Sequence, residues 1–287
     1  MGMACLTVLW VRPISPVCLK LWRGVSKMRF GVCIATNISK IPVVKAAGYD
    51  YVEMSLVGVA GWSDEKVAEV RAILDKEGIE MEATNGFFGF EEGYLTDDRL
   101  DLKVVEEYTR RAMKNASQLG LKVAVLGSGT ARQILDESKR DQAEEQFVQV
   151  LRLCGDICAE YGVKIAIEPL RTEETNFINT VADGLEMCKK ANHPNVFVLA
   201  DFYHVFMNGE SLDTVRTCGD MLQHTHIARS NPDRLMPVNP EDMAACKEWA
   251  AALKENGYDL RMSLEGGFGE DWDATVIKMR DVLKVFE

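Results

Sequence analysis

Four side chains able to bind a metal ion lie in four separate apolar segments. Glu168 is in KIAIEPL, Asp201 in VFVLAD, His226 in LQHTHIA and Glu265 in RMSLEGG. Each segment is predicted to be a buried strand, and each of these side chains falls where the strand gives way to a loop. Three carboxylates and an imidazole that converged would hold a divalent cation, and the glutamates would also be able to move protons.

The donor types narrow the choice of metal. Carboxylate oxygens suit hard divalent cations, and imidazole suits the Mn, Co and Zn part of the series. The set contains no cysteine and therefore favours Mn²⁺, with Co²⁺ or Mg²⁺ as alternatives, over a structural zinc. His224 and His226 are two residues apart and point the same way in a strand. His226 is nearer the loop and is the predicted ligand.

The elements that must position these residues alternate between strands and helices. Apolar, β-branched segments predict strands at 29–34, 49–55, 79–85, 121–127, 163–169, 196–201, 222–228 and 261–266. Apolar spacing of i, i+3, i+4 and i+7 predicts helices at 37–47, 63–77, 101–119, 138–161, 181–192, 210–219, 240–256 and 271–286. Eight successive units predict an α/β fold, a single-domain (β/α)₈ TIM barrel of residues 28–287. A doubly wound sheet would need a Gly-rich turn after its first strand, and FGVCIATN has none.

Composition excludes several classes of protein. The 287 residues are 47% hydrophobic, and no segment approaches the roughly 18 apolar residues of a membrane span, so no membrane partner is expected. The net charge is −11 and every acidic residue lies from Asp50 onward, which makes nucleic acid a poor partner. Eight scattered cysteines without a CxxC pair indicate a reducing compartment such as the cytoplasm.

Residues 1–27 differ from the rest of the chain. An apolar segment, MACLTVLWV, precedes the basic residues of RPISPVCLKLWRGVSK, which reverses the order of a secretory signal peptide, and no A-x-A cleavage site follows. We therefore expect an N-terminal extension outside the fold, which would begin at Met28. A poor targeting sequence is the alternative.

Two loop segments follow the third and fourth predicted strands. Phe87, Phe88 and Phe90 either wall a substrate pocket or pack on a neighbouring helix or subunit. The segment GSGT at 127–130 could cradle a phosphate through its backbone N–H groups, but a plain turn is the favoured interpretation.

Four motifs, in order along the chain, resemble one protein family. IEPLRTEETNFINT, DFYHVFMN, HTHIARSNPDR and LEGGF are similar to the D-tagatose 3-epimerase and D-psicose 3-epimerase family, within the wider xylose isomerase-like barrels. The resemblance extends from Met28 to the C-terminus. It implies that Glu168, Asp201, His226 and Glu265 are the ligands of one divalent metal.

The resemblance also implies which residues contact the substrate. Glu174, six residues after the first ligand, and His204, three residues after the aspartate ligand, take the positions of two such contacts. The family has an arginine shortly after its histidine ligand, which implies Arg234, with Arg229 as the competing choice. Two departures from the family motifs concern the substrate more than the metal site. LEGGF stands where the family has Glu-Pro-Phe at the last ligand, and Ile-Ala-Arg follows His226 in place of a Thr-Gly-Glu type of sequence.

The predicted activity is metal-dependent epimerisation of a ketose at C3. One of Glu168 and Glu265 would remove a carbon-bound proton, the other would return one on the opposite face, and the cation would stabilise the enediolate. The resemblance implies a small sugar as substrate, and the protein is expected to be a homo-oligomer.

Three other classes of protein fit parts of the same pattern, and the first is an enzyme that catalyses a different reaction at the same site. A lyase or dehydratase acting on an oxidised sugar, an inosose or a C-glycoside would use the same ligands, as would an aldose–ketose isomerase. Endonucleases of the abasic-site type share the barrel. Their three-zinc site is built with many more histidines than the four present here. A non-catalytic sugar- or metal-binding protein is the third alternative.

Overall fold

Eight parallel strands form a closed barrel, each paired with its neighbours in chain order and the last with the first. The computed structural model describes residues 27–89 and 93–287. The strands are β1 (Arg29–Cys33), β2 (Tyr51–Ser55), β3 (Glu80–Asn85), β4 (Val123–Leu126), β5 (Lys164–Ile167), β6 (Val196–Asp201), β7 (Leu222–Ile227) and β8 (Arg261–Leu264). The predicted single-domain (β/α)₈ barrel is therefore confirmed.

The described residues form ten α-helices. They are α1 (Ile41–Ala46), α2 (Leu56–Ala60), α3 (Asp64–Glu77), α4 (Leu102–Ser117), α5 (Arg140–Glu160), α6 (Val181–Ala191), α7 (Phe202–Met207), α8 (Asp213–Thr217), α9 (Met243–Asn256) and α10 (Trp272–Leu283). Each of the eight predicted helices matches one of these, although α1 and α8 are shorter than predicted. Gly78 and Gly257 adopt left-handed conformations (φ +63° and +76°) where α3 and α9 end, the positions at which glycine is preferred.

Two short helices, α2 and α7, lie outside the predicted ones. Each begins directly after a strand, and the last strand residue caps it: the Ser55 hydroxyl accepts from the Gly58 N–H, and the Asp201 carboxylate accepts from the Tyr203 N–H at 2.7 Å. Helices of five and six residues are too short for hydrophobic periodicity to identify. The second of them carries His204 beside the strand ends.

The barrel interior contains an apolar cluster and a polar one. The apolar cluster is formed by Tyr51, Ala83, Val123, Val125, Ala166 and Leu199. The polar residues Glu53, Thr84, His224, His226 and Ser263 are also buried. Because alternate residues of a strand share a face, Tyr51 and Glu53 point the same way, as do His224 and His226. A separate, larger apolar core lies between the strands and the helices.

Lys27 and Met28 contact other parts of the barrel. Lys27 forms an ion pair with Glu287 at 2.8 Å, and Met28 is part of the core. Residues 1–26, and so nearly all of the predicted extension, lie outside the described residues. Within the described part of the chain, no helix is both long enough and apolar enough to cross a membrane.

Candidate metal centre and substrate site

The four predicted metal ligands meet at the carboxyl ends of four neighbouring strands. Asp201 is the last residue of β6, His226 is the next-to-last of β7, and Glu168 and Glu265 directly follow β5 and β8. One ligand atom from each residue lies within 4.8 Å of the others. Active sites of (β/α)₈ barrels occupy this face, so the cluster lies where chemistry is expected.

The Nδ1 atom of His226 lies among the three carboxylates. It is 3.1 Å from Glu168 Oε1, 3.0 Å from Glu265 Oε2 and 3.9 Å from Asp201 Oδ2. His226 is completely buried, Asp201 and Glu168 are nearly so, and the Glu265 side chain is 16% exposed. Nδ1 is therefore the nitrogen available to a cation held by these carboxylates.

The charges of the cluster fit a divalent cation. Burial and the neighbouring Glu265 carboxylate raise the pKa of Glu168. Burial also acts to raise the pKa of Glu265, but His226 and Arg234 outweigh it and bring that pKa well below its usual range. Three carboxylates this close together repel one another, and a cation bound through oxygen and imidazole donors would relieve that repulsion. The donor set is the one that hard divalent metals accept.

Glu53, on β2, was not among the predicted site residues. It is fully buried, and its two oxygens bond two different imidazoles: Oε1 to His226 Nε2 at 3.0 Å and Oε2 to His224 Nε2 at 2.9 Å. Burial alone would raise the pKa of Glu53, but the two imidazoles outweigh it and lower that pKa to about 2. A glutamate inside the apolar segment YDYVEMS is the sequence signal that could have identified it, since buried carboxylates are paired.

Arg234 and Arg229, the two candidates for the substrate arginine, have different partners. Arg234 Nη2 donates to Asp201 Oδ2 at 2.8 Å and to Glu265 Oε2 at 2.6 Å. Arg229 Nε donates to Asp233 Oδ1 at 2.7 Å, within the loop after β7. Of the two, it is Arg234 that lies at the ligand cluster.

The pair Gly266-Gly267 lets the loop that carries Arg234 approach the site. The Gly267 N–H donates to the Arg234 carbonyl at 2.8 Å, and the Met236 N–H donates to the Gly267 carbonyl at 2.9 Å. A Cβ atom at Gly266 would lie 2.3 Å from the Arg234 carbonyl oxygen, so glycine is required for this approach. The LEGGF departure from the family motif thus has a structural consequence, which is the placement of Arg234.

His204 presents a buried N–H group beside the ligand cluster. Its Nδ1 accepts from the Arg171 backbone N–H at 3.3 Å, so the proton of the neutral ring is on Nε2. Nε2 has no hydrogen-bond partner among the described residues and lies 3.7 Å from Asp201 Oδ2. Glu174 Oε1 lies 4.0 Å from His204 Nδ1 and accepts from Arg171 Nε at 2.7 Å. His204 is therefore beside the cluster, and Glu174 lies near the other nitrogen of its ring.

The two loop segments after β3 and β4 contact each other, and the first of them packs on a helix. Phe87 and Phe88 are buried, their rings are 4.8 Å apart, and Tyr108 of α4 packs on Phe88 and donates its hydroxyl proton to the Phe87 carbonyl. These two residues therefore pack on a helix; Phe90 lies outside the described residues. The Ser128 hydroxyl accepts from the Phe88 N–H at 2.8 Å, which ties the GSGT turn to the β3 loop.

Gly127 leaves room for the side chain of Glu168, the first predicted ligand, and this predicts the effect of a methyl group added at position 127. A Cβ at Gly127 would lie 2.4 Å from Glu168 Oε2. We expect Gly127→Ala to displace that carboxylate and weaken Co²⁺ binding by at least about tenfold, measured by calorimetric titration. Gly61→Ala, whose Cβ would have no contact below 3.5 Å, is the matched control. Unchanged Co²⁺ affinity in Gly127→Ala would show that the carboxylate adjusts to the added methyl group and that glycine is not required there.

A fully buried arginine, Arg132, holds the backbone around Glu168. Its guanidinium donates to the carbonyls of five residues: Leu126, Gly127, Glu168, Phe177 and Ile178. Burial lowers the pKa of Arg132 to about 10, so the group remains charged at neutral pH. The sequence gives no signal for this role, because the five acceptors are main-chain atoms from separate segments.

The fold and the site define a (β/α)₈-barrel protein with a candidate metal centre at the carboxyl ends of strands β5 to β8. The chain belongs to the xylose isomerase-like TIM barrel family, whose model matches residues 41–284. This agrees with the resemblance of the four sequence motifs.

The curated proteins similar to this chain include two sugar epimerases. The L-ribulose 3-epimerase of Methylomonas sp. strain DH-1 is 28% identical over 215 residues, which cover 74% of this chain and 72% of that protein. The D-psicose 3-epimerase of Agrobacterium fabrum strain C58 is 25% identical over 195 residues, 67% of each chain. The solved structure of D-psicose 3-epimerase with D-tagatose from Clostridium cellulolyticum H10 matches with a TM-score of 0.75 at 22% identity, covering 91% of this chain and all of that one. This structural match supports the fold alone.

Proposed function

We propose that this protein is a divalent-metal-dependent sugar epimerase that inverts a ketose at C3. The metal ligands are Glu168, Asp201, His226 and Glu265, and Mn²⁺ is the preferred ion because the donors are three carboxylates and one imidazole. The similarity to a ribulose and a psicose 3-epimerase supports this choice of reaction.

The observation that carries the proposal is the position of the two glutamates. Glu168 follows β5 and Glu265 follows β8, so they extend from different sides of the closed barrel. Their carboxylates lie 3.1 and 3.0 Å from the same nitrogen of His226. A substrate carbon held between them can lose a proton to one carboxylate and receive a proton from the other on the opposite face.

Each remaining group has a defined task in this scheme. A bound divalent cation supplies Lewis-acid stabilisation of the negative charge that develops on the substrate oxygens. The Nε2–H of His204 donates to a substrate oxygen, Glu174 accepts from a hydroxyl group, and Arg234 donates to the oxygens that approach the cluster. These contacts would hold the reacting carbon within reach of both glutamates.

The proposal is tested by proton exchange in D₂O. Candidate ketoses, including D-psicose, D-tagatose and L-ribulose, are incubated with the Mn²⁺-supplemented protein, quenched with EDTA and examined by ¹H NMR. We expect loss of the C3 proton signal and the appearance of the C3 epimer. Protein pretreated with EDTA should do neither, and added Mn²⁺ should restore both.

Other products would contradict the proposal in distinguishable ways. An aldose product, with exchange at C1 or C2, would indicate aldose–ketose isomerisation. A product that has lost a substituent would indicate elimination. Absence of exchange with every ketose tested would argue against a ketose 3-epimerase.

A further inference from the structure

The second nitrogen of His226 faces a buried carboxylate that no proposed step uses. Nδ1 lies among Glu168, Asp201 and Glu265, whereas Nε2 lies 3.0 Å from Glu53 Oε1. A neutral imidazole carries one proton, and a metal bond needs the lone pair of the nitrogen that it occupies. For Nδ1 to bind a metal, the proton must be on Nε2, where the Glu53 carboxylate accepts it.

We propose that Glu53 is a positioning residue that fixes the tautomer and ring orientation of His226 and thereby sets the affinity of the metal centre. Carboxylates in this relation to a metal-binding histidine orient the ring and raise its basicity. The inference rests on the proposed metal centre, but it does not depend on which sugar is the substrate.

The partners of the other oxygen prevent Glu53 from turning away. Oε2 lies 2.9 Å from His224 Nε2, which is 3.4 Å from the Ser263 hydroxyl. That hydroxyl is 2.8 Å from the Tyr51 hydroxyl. These side chains are all fully buried and come from strands β2, β7 and β8, so the barrel wall itself holds the carboxylate. Each oxygen of Glu53 is therefore already engaged by an imidazole.

A different role for the same carboxylate would be direct metal binding with Cys33. Cys33, Glu53 and His226 can also bring one ligand atom each within 4.8 Å of the others. That arrangement would need Nε2 of His226 without its proton, which the contact to Glu53 opposes. We therefore infer that Glu53 acts through His226, and Cys33 provides a control.

The test is Co²⁺ binding to the full chain, followed by calorimetry and visible absorption. We expect Glu53→Gln to weaken Co²⁺ binding by about 10–100-fold, because an amide cannot accept from both imidazoles. Two matched controls should bind Co²⁺ within about twofold of wild type. Glu82→Gln alters a buried carboxylate paired with Arg29 and Arg261, and Cys33→Ser removes the thiol.

Each outcome distinguishes this inference from its rivals. Wild-type Co²⁺ affinity in Glu53→Gln would overturn it while leaving the metal centre intact, and no binding by the wild-type protein would overturn both. Equal losses of Co²⁺ affinity in Glu53→Gln and Glu82→Gln would indicate a purely structural role for Glu53, which would also overturn the inference. Loss of binding in Cys33→Ser, together with a thiolate charge-transfer band in the wild type, would favour direct ligation by Glu53.

A second variant keeps the inference testable if Glu53→Gln does not fold. His224→Gln leaves the bond between Glu53 Oε1 and His226 in place but removes the imidazole that holds Glu53 Oε2. We expect a smaller loss of Co²⁺ affinity in the same direction, and unchanged affinity in this variant would then overturn the inference.

Discussion

Replacing Glu265 with glutamine is expected to reduce epimerisation by about 10²–10⁴-fold while the barrel stays folded and still binds metal. The amide cannot act as a general base. It also places an NH₂ group where the carboxylate now accepts from two donors, Asn85 Nδ2 at 2.5 Å and Arg234 Nη2 at 2.6 Å. The measurement is turnover of the ketose identified by NMR. Circular dichroism and Co²⁺ titration check the fold and the metal centre.

The two-glutamate scheme makes a sharper prediction about deuterium exchange. With Glu265→Gln, the remaining Glu168 can still exchange the C3 proton of one epimer, so deuterium should enter that epimer without conversion to the other. Glu168→Gln should show the opposite preference. Glu270→Gln, an exposed carboxylate in the loop after β8, is the charge-matched control and should retain wild-type turnover. Wild-type rates in Glu265→Gln would rule out the two-glutamate scheme.

The second large effect expected is on stability, from Arg132→Met. Its five main-chain acceptors would lose the guanidinium in a region closed to water. The Leu126 and Ile178 carbonyls would keep a backbone donor each, and every acceptor left buried and unsatisfied costs about 1–3 kcal/mol. Allowing for partial relaxation, we expect the free energy of unfolding to fall by at least about 3 kcal/mol, measured by urea denaturation.

The control for this prediction is Arg152→Met. The exposed side chain of Arg152 also donates to main-chain carbonyls, those of Ala191 at 2.8 Å and Lys190 at 3.1 Å, but water can replace it there. We expect a loss below about 1 kcal/mol. A similarly small loss in Arg132→Met would show that the buried guanidinium is not needed to hold the backbone around Glu168.

The cluster of four candidate metal ligands could be predicted because each residue is located by its own strand. Asp201 and His226 stand near the ends of β-branched, apolar segments, and in a parallel barrel those ends meet at one face. Their convergence follows from the number and order of the strands. The same reasoning located His204 beside Asp201, although it did not predict the short helix α7 that carries it.

The supporting contacts could not be predicted, because their partners are brought together only when the barrel closes. Strand alternation places Glu53 on an inward face, but His224 and His226 lie on β7, far along the chain. Arg234, and not Arg229, lies at the ligand cluster for two reasons. Arg229 forms an ion pair with Asp233 within the loop, and main-chain contacts with Gly266-Gly267 hold Arg234 in place.

The sequence by itself determined the eight-unit barrel and the four donors, since hydrophobic periodicity and strand ends are local properties of the chain. The tertiary structure decided which nitrogen of His226 faces the carboxylates, that Glu53 holds the other nitrogen, and that Arg132 binds the backbone of Glu168. These are contacts between segments distant in sequence, and their geometry depends on strand register and loop packing, which no local pattern encodes.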